Sequence, residues 1–329
     1  MGEIGSEFWD VPMSKEKNNI FPDSAQWFLS GRSALTGIIR KIKDKRNVHT
    51  VSMPSWCCDS MIIPFLREKI EVQFYPVYWE KAFVQEINKD SDIVFVMDYF
   101  GYTSNYTISH PCVIRDVTHS IFSHQYDDAK YYFGSLRKWC GVKTGGYAWD
   151  IKAETVAADQ YFINMRTMAM QRKKMYLSGK IREKDYLTIF NDAEERLDNL
   201  EGVFEADGKD VEIAQYLDVS HIREQRRNNA VILMNAFADC LLFPDLSEND
   251  CPMFVPILVA DGKRDQLRQY LIKQGIYCPV HWPVSQYHRL NEQERKIYDN
   301  ELSLVCDQRY DKRDMLRIVE AVKNFQEEK

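Results

Sequence analysis

The stretch YFGSLRKWC (residues 132–140), with GGYAW (residues 145–149) just behind it, carries the strongest indication of the fold. Lys138 stands in an aromatic run three residues after Ser135, and a glycine pair then leads into a short apolar strand. Apolar neighbours reduce the hydration of an ammonium group, so we expect them to lower the pKa of this lysine toward its neutral, nucleophilic form. Most lysines beside aromatic residues are surface residues, so the pattern alone is a weak indication of catalysis.

A second segment, VIRDVTH (residues 113–119), strengthens this indication. It reads as an apolar strand that ends at Asp116. An acid in this place is the partner that a protonated pyridine nitrogen requires. A lysine suited to forming a Schiff base and an acid suited to a pyridinium ion together predict a site for pyridoxal phosphate.

The composition is that of a globular protein with a substantial core. The 329 residues suffice for one large domain and a smaller one, with 45% hydrophobic and 28% charged residues. The net charge of -6, without a long Lys/Arg tract, argues against general nucleic-acid binding. The sequence shows neither a signal-peptide pattern nor an apolar run of membrane-spanning length, and its eight cysteines lack zinc-site spacing. We therefore expect a cytoplasmic protein without a metal site or a membrane partner.

Short apolar strands alternate with helical patterns in the first half of the chain. Strands are predicted at residues 49–53, 71–77, 93–97, 112–115, 131–133 and 147–149, and helices from residue 30 and at 60–69 and 78–86. Such alternation favours an α/β fold with a mostly parallel sheet. Ligands of such sheets bind beyond the carboxyl ends of the strands.

The regions before and after these alternating elements differ from them in residue composition and pattern. Residues 1–29 are aromatic-rich and read as an irregular arm that packs on the domain or on a partner. Residues 151–200 have a charged, helical pattern. Further helices are predicted at 219–237, 263–274 and 310–327, a strand at 253–259, and a strand followed by a turn at 275–283.

The segment SGRSAL (residues 30–35) predicts a phosphate-binding helix start. A small-residue turn at a helix N-terminus presents free backbone N–H groups, and the side chains of Arg32 and Ser33 add donors. An ordinary capped helix would begin with the same residues, so the segment alone does not distinguish the two.

Seven segments, in order along the chain, resemble the DegT/StrS family of pyridoxal-phosphate-dependent aminotransferases, which have fold type I and mostly act on keto-sugars attached to nucleotides. The resemblance covers roughly residues 28–150 and 250–285. It implies a large α/β domain with a mostly parallel seven-stranded sheet and a small C-terminal α+β domain, which we place at residues 1–213 and 214–329. The segments are SGRSAL (30–35), PSWCCD (54–59), DYFG (98–101), DVTHS (116–120), SLRK (135–138), GGY (145–147), and GI (275–276) with HWP (281–283).

The resemblance also implies a role for individual residues. Lys138 would bind the cofactor covalently and then move a proton between substrate and cofactor, and Asp116 would keep the ring nitrogen protonated. The other implied cofactor contacts are Gly31, Arg32, Ser33 and Ser135 at the phosphate, His119 at the ring hydroxyl, and either Trp56 or Cys58 on the ring face. The residues that would border the substrate are Tyr99, His281 and Trp282.

We therefore expect a homodimeric aminotransferase that takes an amino group from a donor such as glutamate and passes it to a keto-sugar, in sugar-nucleotide form, for surface polysaccharide or secondary-metabolite synthesis. Residues 151–200 do not match the corresponding segment of the family, so the resemblance says less about the substrate than about the cofactor. Two alternatives stay open: a pyridoxal phosphate enzyme of the same fold acting on an amino acid or another amine, and a non-catalytic regulatory relative.

Overall fold

The computed structural model describes residues 2–103, 108–123 and 129–327. The strands are β1 (Ile4–Gly5), β2 (Gln26–Phe28), β3 (Thr50–Pro54), β4 (Glu71–Tyr75), β5 (Val77–Trp79), β6 (Phe83–Gln85), β7 (Ile93–Met97), β8 (Val113–Asp116), β9 (Tyr131–Ser135), β10 (Gly146–Ala148), β11 (Phe254–Leu258), β12 (Ile276–Tyr277) and β13 (Glu301–Val305). The α-helices are α1 (Gly31–Lys43), α2 (Asp59–Arg67), α3 (Gln160–Leu177), α4 (Tyr186–Asn199), α5 (Gly208–Gln215), α6 (Val219–Ala236), α7 (Arg264–Lys273), α8 (Glu292–Asn300) and α9 (Lys312–Glu327).

A seven-stranded sheet has the strand order β2-β10-β9-β8-β7-β3-β4. Strand β3 runs parallel to β4 and β7, and β7 runs parallel to β8, whereas β10 is antiparallel to β2 and β9. The predicted α/β fold with a seven-stranded sheet is confirmed, and the antiparallel pairs are gathered at one edge.

Contacts between residues divide the chain into two compact units. The first comprises Met1–Ser6, Val48–Lys130 and Val219–Lys329, and the second comprises Glu7–Asn47 and Tyr131–Asp218. These units group the chain differently from the domains expected at 1–213 and 214–329, so that boundary stays a prediction.

The first unit contains the buried parallel strands. All five residues of β7 and all four of β8 are buried, as expected for strands covered on both faces. Turns follow the carboxyl ends of these strands, and Gly101, in the turn after β7, has a φ of +83° that favours glycine. The described residues of the same unit form three small sheets, the antiparallel pairs β11–β13 and β5–β6 and the parallel pair β1–β12.

The second unit places helices against strands β2, β9 and β10. Seven residues of α1 are buried, including Leu35, Ile38, Ile39 and Ile42, whose helical spacing forms an apolar stripe. Helices α3 and α4 pack against each other, and a core cluster joins them to Leu29 at the end of β2. The helical pattern predicted for residues 151–200 is thus confirmed.

Two parts of the chain differ from the prediction. The helix predicted at residues 78–86 is wrong: β5 and β6 form an antiparallel hairpin in which Trp79 pairs with Phe83. Aromatic and β-branched residues dominate both arms, and they favour strands over helices. The N-terminal arm is also less irregular than predicted, because it supplies β1 and β2.

Several features bear on partners and metals. None of the described helices is long and apolar enough to cross a membrane. None of the eight cysteines forms a disulfide. Within residues 2–103, 108–123 and 129–327, no group of three or more His, Cys, Asp or Glu side chains could hold a metal ion.

Candidate active site

In the first unit, Asp116 ends β8 with its side chain buried. Burial is the main cause that raises its pKa to about 7; the charge of Asp98 adds to this, and hydrogen bonds from Thr118 oppose it. One of these is the backbone N–H of Thr118, which donates to Oδ1 at 2.8 Å. A buried carboxyl group of this kind would be stabilised in its ionised form by a cationic N–H donor, which is what a pyridinium nitrogen offers. Asp116 therefore fits the ring of pyridoxal phosphate.

A buried ion pair fixes the turns around Asp116. The guanidinium group of Arg115 donates to Asp98 Oδ1, with both donor distances at 2.8 Å. The hydroxyl of Ser120 donates to the other oxygen, Oδ2, at 2.5 Å. The turn after β7 and the turn after β8 are thereby held together through one carboxylate.

Trp56 and Tyr99 lie in an aromatic cluster with Trp282. The rings of Trp56 and Tyr99 are stacked with centroids 5.0 Å apart, and the ring of Trp282 meets Trp56 edge-on at 5.5 Å. Trp56 Nε1–H donates to the carbonyl of His281 at 2.7 Å. The structure thus brings together three of the residues predicted to border the cofactor or the substrate with the backbone of a fourth.

His119 belongs to the same cluster. Its ring is stacked on Trp282 at a centroid distance of 5.7 Å. The backbone N–H of Phe100 donates to His119 Nδ1 at 3.4 Å. Because Nδ1 is an acceptor there, a neutral ring carries its proton on Nε2 and can donate a hydrogen bond from that atom.

Trp56 and Cys58, the two candidates for the cofactor ring face, differ in their surroundings. Trp56 is fully buried. Cys58 is the N-cap of α2 and is partly exposed, with its sulfur 2.9 Å from the hydroxyl of Ser60. The choice between them stays open.

In the second unit, the start of α1 lies directly against the end of β9. A Cβ atom at Gly31 would lie 3.2 Å from the Cβ atom of Ser135, so the helix can come this close because residue 31 is a glycine. The hydroxyl of Ser30 caps the helix by accepting from the N–H of Ser33 at 3.2 Å. The N–H groups of Gly31 and Arg32, with the hydroxyls of Ser33 and Ser135, form a donor set of the kind that holds a phosphate.

The side chain of Arg32 contacts α4 rather than the other donors of this set. Its NH2 group pairs with Asp198 at 2.8 Å, and its NH1 group donates to the carbonyl of Leu197 at 3.2 Å. These contacts anchor α1 to the end of α4. The side chain of Arg32 as a phosphate ligand stays a prediction, and its backbone N–H remains a first-turn donor.

Lys138 ends a short 3₁₀ helix, Leu136–Lys138, that follows β9 directly. The side chains of Leu136, Arg137 and Trp139 are buried, whereas Lys138 is exposed. The apolar surroundings expected for this lysine are therefore not found. A 3₁₀ helix has three residues per turn, so two of its residues can face the core while the third faces outward.

Sequence reasoning missed a buried cationic cluster beside Lys138. Arg137 forms an ion pair with Glu194 of α4, and Arg166 of α3 lies 3.3 Å from both Glu194 and Glu7. Burial alone would raise the pKa of Glu194, but Arg137 and then Arg166 hold it below its usual value. The only available signal was an arginine inside an aromatic run.

It also missed Glu301 and Ser303, which contact His281 from β13. The backbone N–H of His281 donates to Glu301 Oε2 at 2.7 Å, and His281 Nδ1 lies 2.8 Å from Ser303 Oγ. Two signals could have located this strand. The spacing of Asn291 and Glu294 forms a capping box at the start of α8, and polar and apolar residues alternate in ELSLV (residues 301–305).

Several solved structures with the same fold are aminotransferases. Helicobacter pylori PseC, an aminotransferase involved in the biosynthesis of pseudoaminic acid, has a TM-score of 0.61 at 15% identity, covering 97% of this chain and 99% of its own. Spr1654 of Streptococcus pneumoniae, described as a sugar aminotransferase and solved in its PLP form, has a TM-score of 0.63 at 14% identity, covering 92% and 87%. A DegT/DnrJ/EryC1/StrS aminotransferase of Brucella abortus has a TM-score of 0.58 at 14% identity, covering 92% and 85%.

The chain has the fold of these aminotransferases. The resemblance to the DegT/StrS family is thereby confirmed at the level of the fold, over about nine-tenths of the chain. No protein-family model matches the sequence, and no curated protein matches it.

Proposed function

We propose that this protein is a pyridoxal-phosphate-dependent aminotransferase that passes an amino group to a keto-sugar. The observation that carries the proposal is Asp116, a buried carboxyl group at the carboxyl end of a parallel strand, in a chain with the fold of aminotransferases.

Each part of the cofactor has candidate partners. Asp116 would hold the pyridine nitrogen, and the Nε2–H group of His119 would donate to the ring hydroxyl. The phosphate would accept hydrogen bonds from the first turn of α1 and from Ser135. The residues of that turn are Gly31, Arg32 and Ser33, and the candidates for the ring face are Trp56 and Cys58.

When bound, pyridoxal phosphate supplies an electron sink through which an amino group passes from one substrate to another. Lys138 would hold the cofactor and then carry a proton on Nζ to and from the substrate carbon. The exposure of its side chain leaves Nζ accessible for both tasks. Asp116, in ionised form, would keep the ring nitrogen protonated.

The substrates are proposed from the fold and its relatives. PseC takes part in the biosynthesis of pseudoaminic acid and Spr1654 is described as a sugar aminotransferase, which favours a keto-sugar acceptor for this chain. We assign glutamate as the amino donor and a nucleotide-linked sugar as the acceptor, with Tyr99, His281 and Trp282 bordering it. The product would serve surface polysaccharide or secondary-metabolite synthesis in the cytoplasm.

The test begins with the visible spectrum of the protein after incubation with pyridoxal phosphate and removal of the unbound cofactor by gel filtration, because free pyridoxal phosphate is itself coloured. We expect an absorption band that borohydride removes in the wild type, and a tryptic peptide with Lys138 that then carries the mass of the reduced cofactor. Lys138→Ala should lose both signals, whereas Lys152→Ala, a control at an exposed lysine, should keep them.

The second step is a half-reaction with glutamate. Release of 2-oxoglutarate with loss of the visible band would support the aminotransferase assignment. A colourless wild type would refute cofactor binding, and a coloured protein that ignores glutamate would refute the donor assignment alone.

A further inference from the structure

His281 is held by two buried residues of β13 in the first unit. Its Nδ1 lies 2.8 Å from Ser303 Oγ, and the hydroxyl of Ser303 donates in turn to Glu301 Oε1. Glu301 Oε2 accepts the backbone N–H of His281 at 2.7 Å. Glu301 and Ser303 have no solvent exposure, whereas 13% of the His281 side chain is accessible.

This chain of contacts determines which ring nitrogen carries the proton. A carboxylate can only accept hydrogen bonds, so Ser303 must use its single proton toward Glu301. The oxygen of Ser303 is then left to accept from His281, and Nδ1 must be the protonated nitrogen. Nε2 of a neutral ring consequently holds a lone pair.

The His281 ring also lies among aromatic residues. Its centroid lies 5.1 Å from Phe100, 5.3 Å from Trp282 and 5.8 Å from His119. No described residue forms a hydrogen bond with His281 Nε2. His119 and His281 thus have opposite proton arrangements: a neutral His119 carries its proton on Nε2, whereas a neutral His281 holds a lone pair there.

We infer that Glu301 and Ser303 are positioning residues that fix His281 in its Nδ1–H form, so that Nε2 accepts a hydrogen bond from a substrate hydroxyl. The assignment of the hydroxyl to a sugar acceptor rests on the proposed function, whereas the proton arrangement does not. A neutral hydroxylated ring fits this place better than a keto acid, because an anionic oxygen would meet the lone pair of Nε2.

The proton arrangement can be read directly by NMR of the full-length chain with ¹⁵N-labelled histidine, with and without pyridoxal phosphate. Spectra are taken well above the ordinary histidine pKa of about 6.5, and His281→Gln identifies the signal among seven histidines. Protonated and unprotonated ring nitrogens have well-separated ¹⁵N shifts. We expect Nδ1 of His281 to be protonated and Nε2 to be unprotonated.

Glu301→Gln is the decisive variant because it keeps the shape of the side chain. Its amide can donate to Ser303, which frees the hydroxyl proton to point at His281 Nδ1 and moves the ring proton to Nε2. Ser303→Ala removes the hydroxyl oxygen that accepts from His281 Nδ1, without burying a new charge. It should also raise the fraction of His281 rings that carry their proton on Nε2. Glu320→Gln, at an exposed position, should leave the His281 signals unchanged.

The ligand assignment uses methyl α-D-glucopyranoside as a neutral hydroxylated probe, with tetrahydropyran as the matched ring without hydroxyl groups. The glucoside should shift the His281 Nε2 signal of the wild type, and tetrahydropyran should not. Glu301→Gln should change this response, because Nε2 then carries a proton and the hydroxyl must accept a hydrogen bond instead of donating one.

Each result decides one part of the inference. A wild-type His281 that is protonated at Nε2, or at both nitrogens, overturns the positioning role, as does an unchanged ring in Glu301→Gln. A glucoside that leaves the wild-type signal unmoved overturns the ligand assignment. Failure of the proposed function would instead appear as absent cofactor binding with the proton arrangement intact.

Discussion

The carboxyl group of Asp116 has two conflicting requirements. Its place in the core favours the neutral form, and burial raises its pKa from 3.8 to about 7. Its proposed role requires the ionised form beside a protonated ring nitrogen. Binding of the cofactor would supply the cation that reconciles the two.

This conflict predicts a pH dependence of stability in the protein without cofactor. Between about pH 4 and pH 7 the folded chain keeps the Asp116 proton that the unfolded chain has lost. The unfolded state then binds fewer protons, so the free energy of unfolding should fall as the pH rises, by up to about 4 kcal/mol.

Asp116→Asn isolates this contribution because all other titrating groups stay the same. Denaturant unfolding of wild type and variant over that pH range gives the difference in their unfolding free energies. We expect the free energy of unfolding of the variant to rise relative to that of the wild type as the pH rises. Excess pyridoxal phosphate should reduce this relative rise. A difference that does not vary with pH would show that Asp116 titrates normally.

Individual residues differ in how far the sequence could identify them. Lys138 and Asp116 were predicted because their residue types are rare in apolar runs and their chemistry is specific. Glu301 and Ser303 could not be assigned to His281, because their contact depends on how β13 lies beside the turn after β12. The exposure of Lys138 likewise depends on the 3₁₀ turn, which no pattern in the sequence predicts.

At the scale of elements, α4 fastens the segment that carries Lys138. Glu194 of α4 compensates two buried guanidinium groups, those of Arg137 and Arg166. Glu194→Gln removes the negative charge and leaves both cations in place. We expect a loss of about 1–3 kcal/mol in the free energy of unfolding, since part of the Glu194 side chain is solvated.

Denaturant unfolding measures this loss, and Glu195→Gln is the matched control on the exposed side of the same helix. The control should stay within about 0.5 kcal/mol of the wild type. Equal effects of the two substitutions would mean that the charge of Glu194 contributes nothing to the stability of this unit.

Elements with a clear period were predicted well, and short elements were not. Helix α1 and strand β7 follow from their apolar patterns. The β5–β6 hairpin was taken for a helix, because two three-residue arms are too short to display a period of two. Strand β13 was overlooked although its apolar residues alternate.

At the scale of the whole molecule, the resemblance of a few short segments was a reliable guide to the fold. The aminotransferases with this fold share only about 14–15% of their residues with the chain. Sequences of such low identity thus have the same fold, whereas the choice of substrate depends on side chains that such similarity does not specify.

The homodimer is a prediction at this scale. Size-exclusion chromatography with light scattering should give twice the mass of one chain, at concentrations well above the dissociation constant. A single-chain mass across the accessible concentration range would contradict it.

The pairing of β1 with β12 joins residues 2–5 to elements from the last part of the chain, namely β12 and α9. Ile4 and Gly5 cover one edge of Ile276–Tyr277, and Arg317 of α9 donates to the carbonyl of Gly2 at 2.7 Å. Without β1, the edge of β12 would expose unpaired N–H and C=O groups, which can bind any extended peptide. Deletion of residues 2–5 would therefore make the chain prone to self-association.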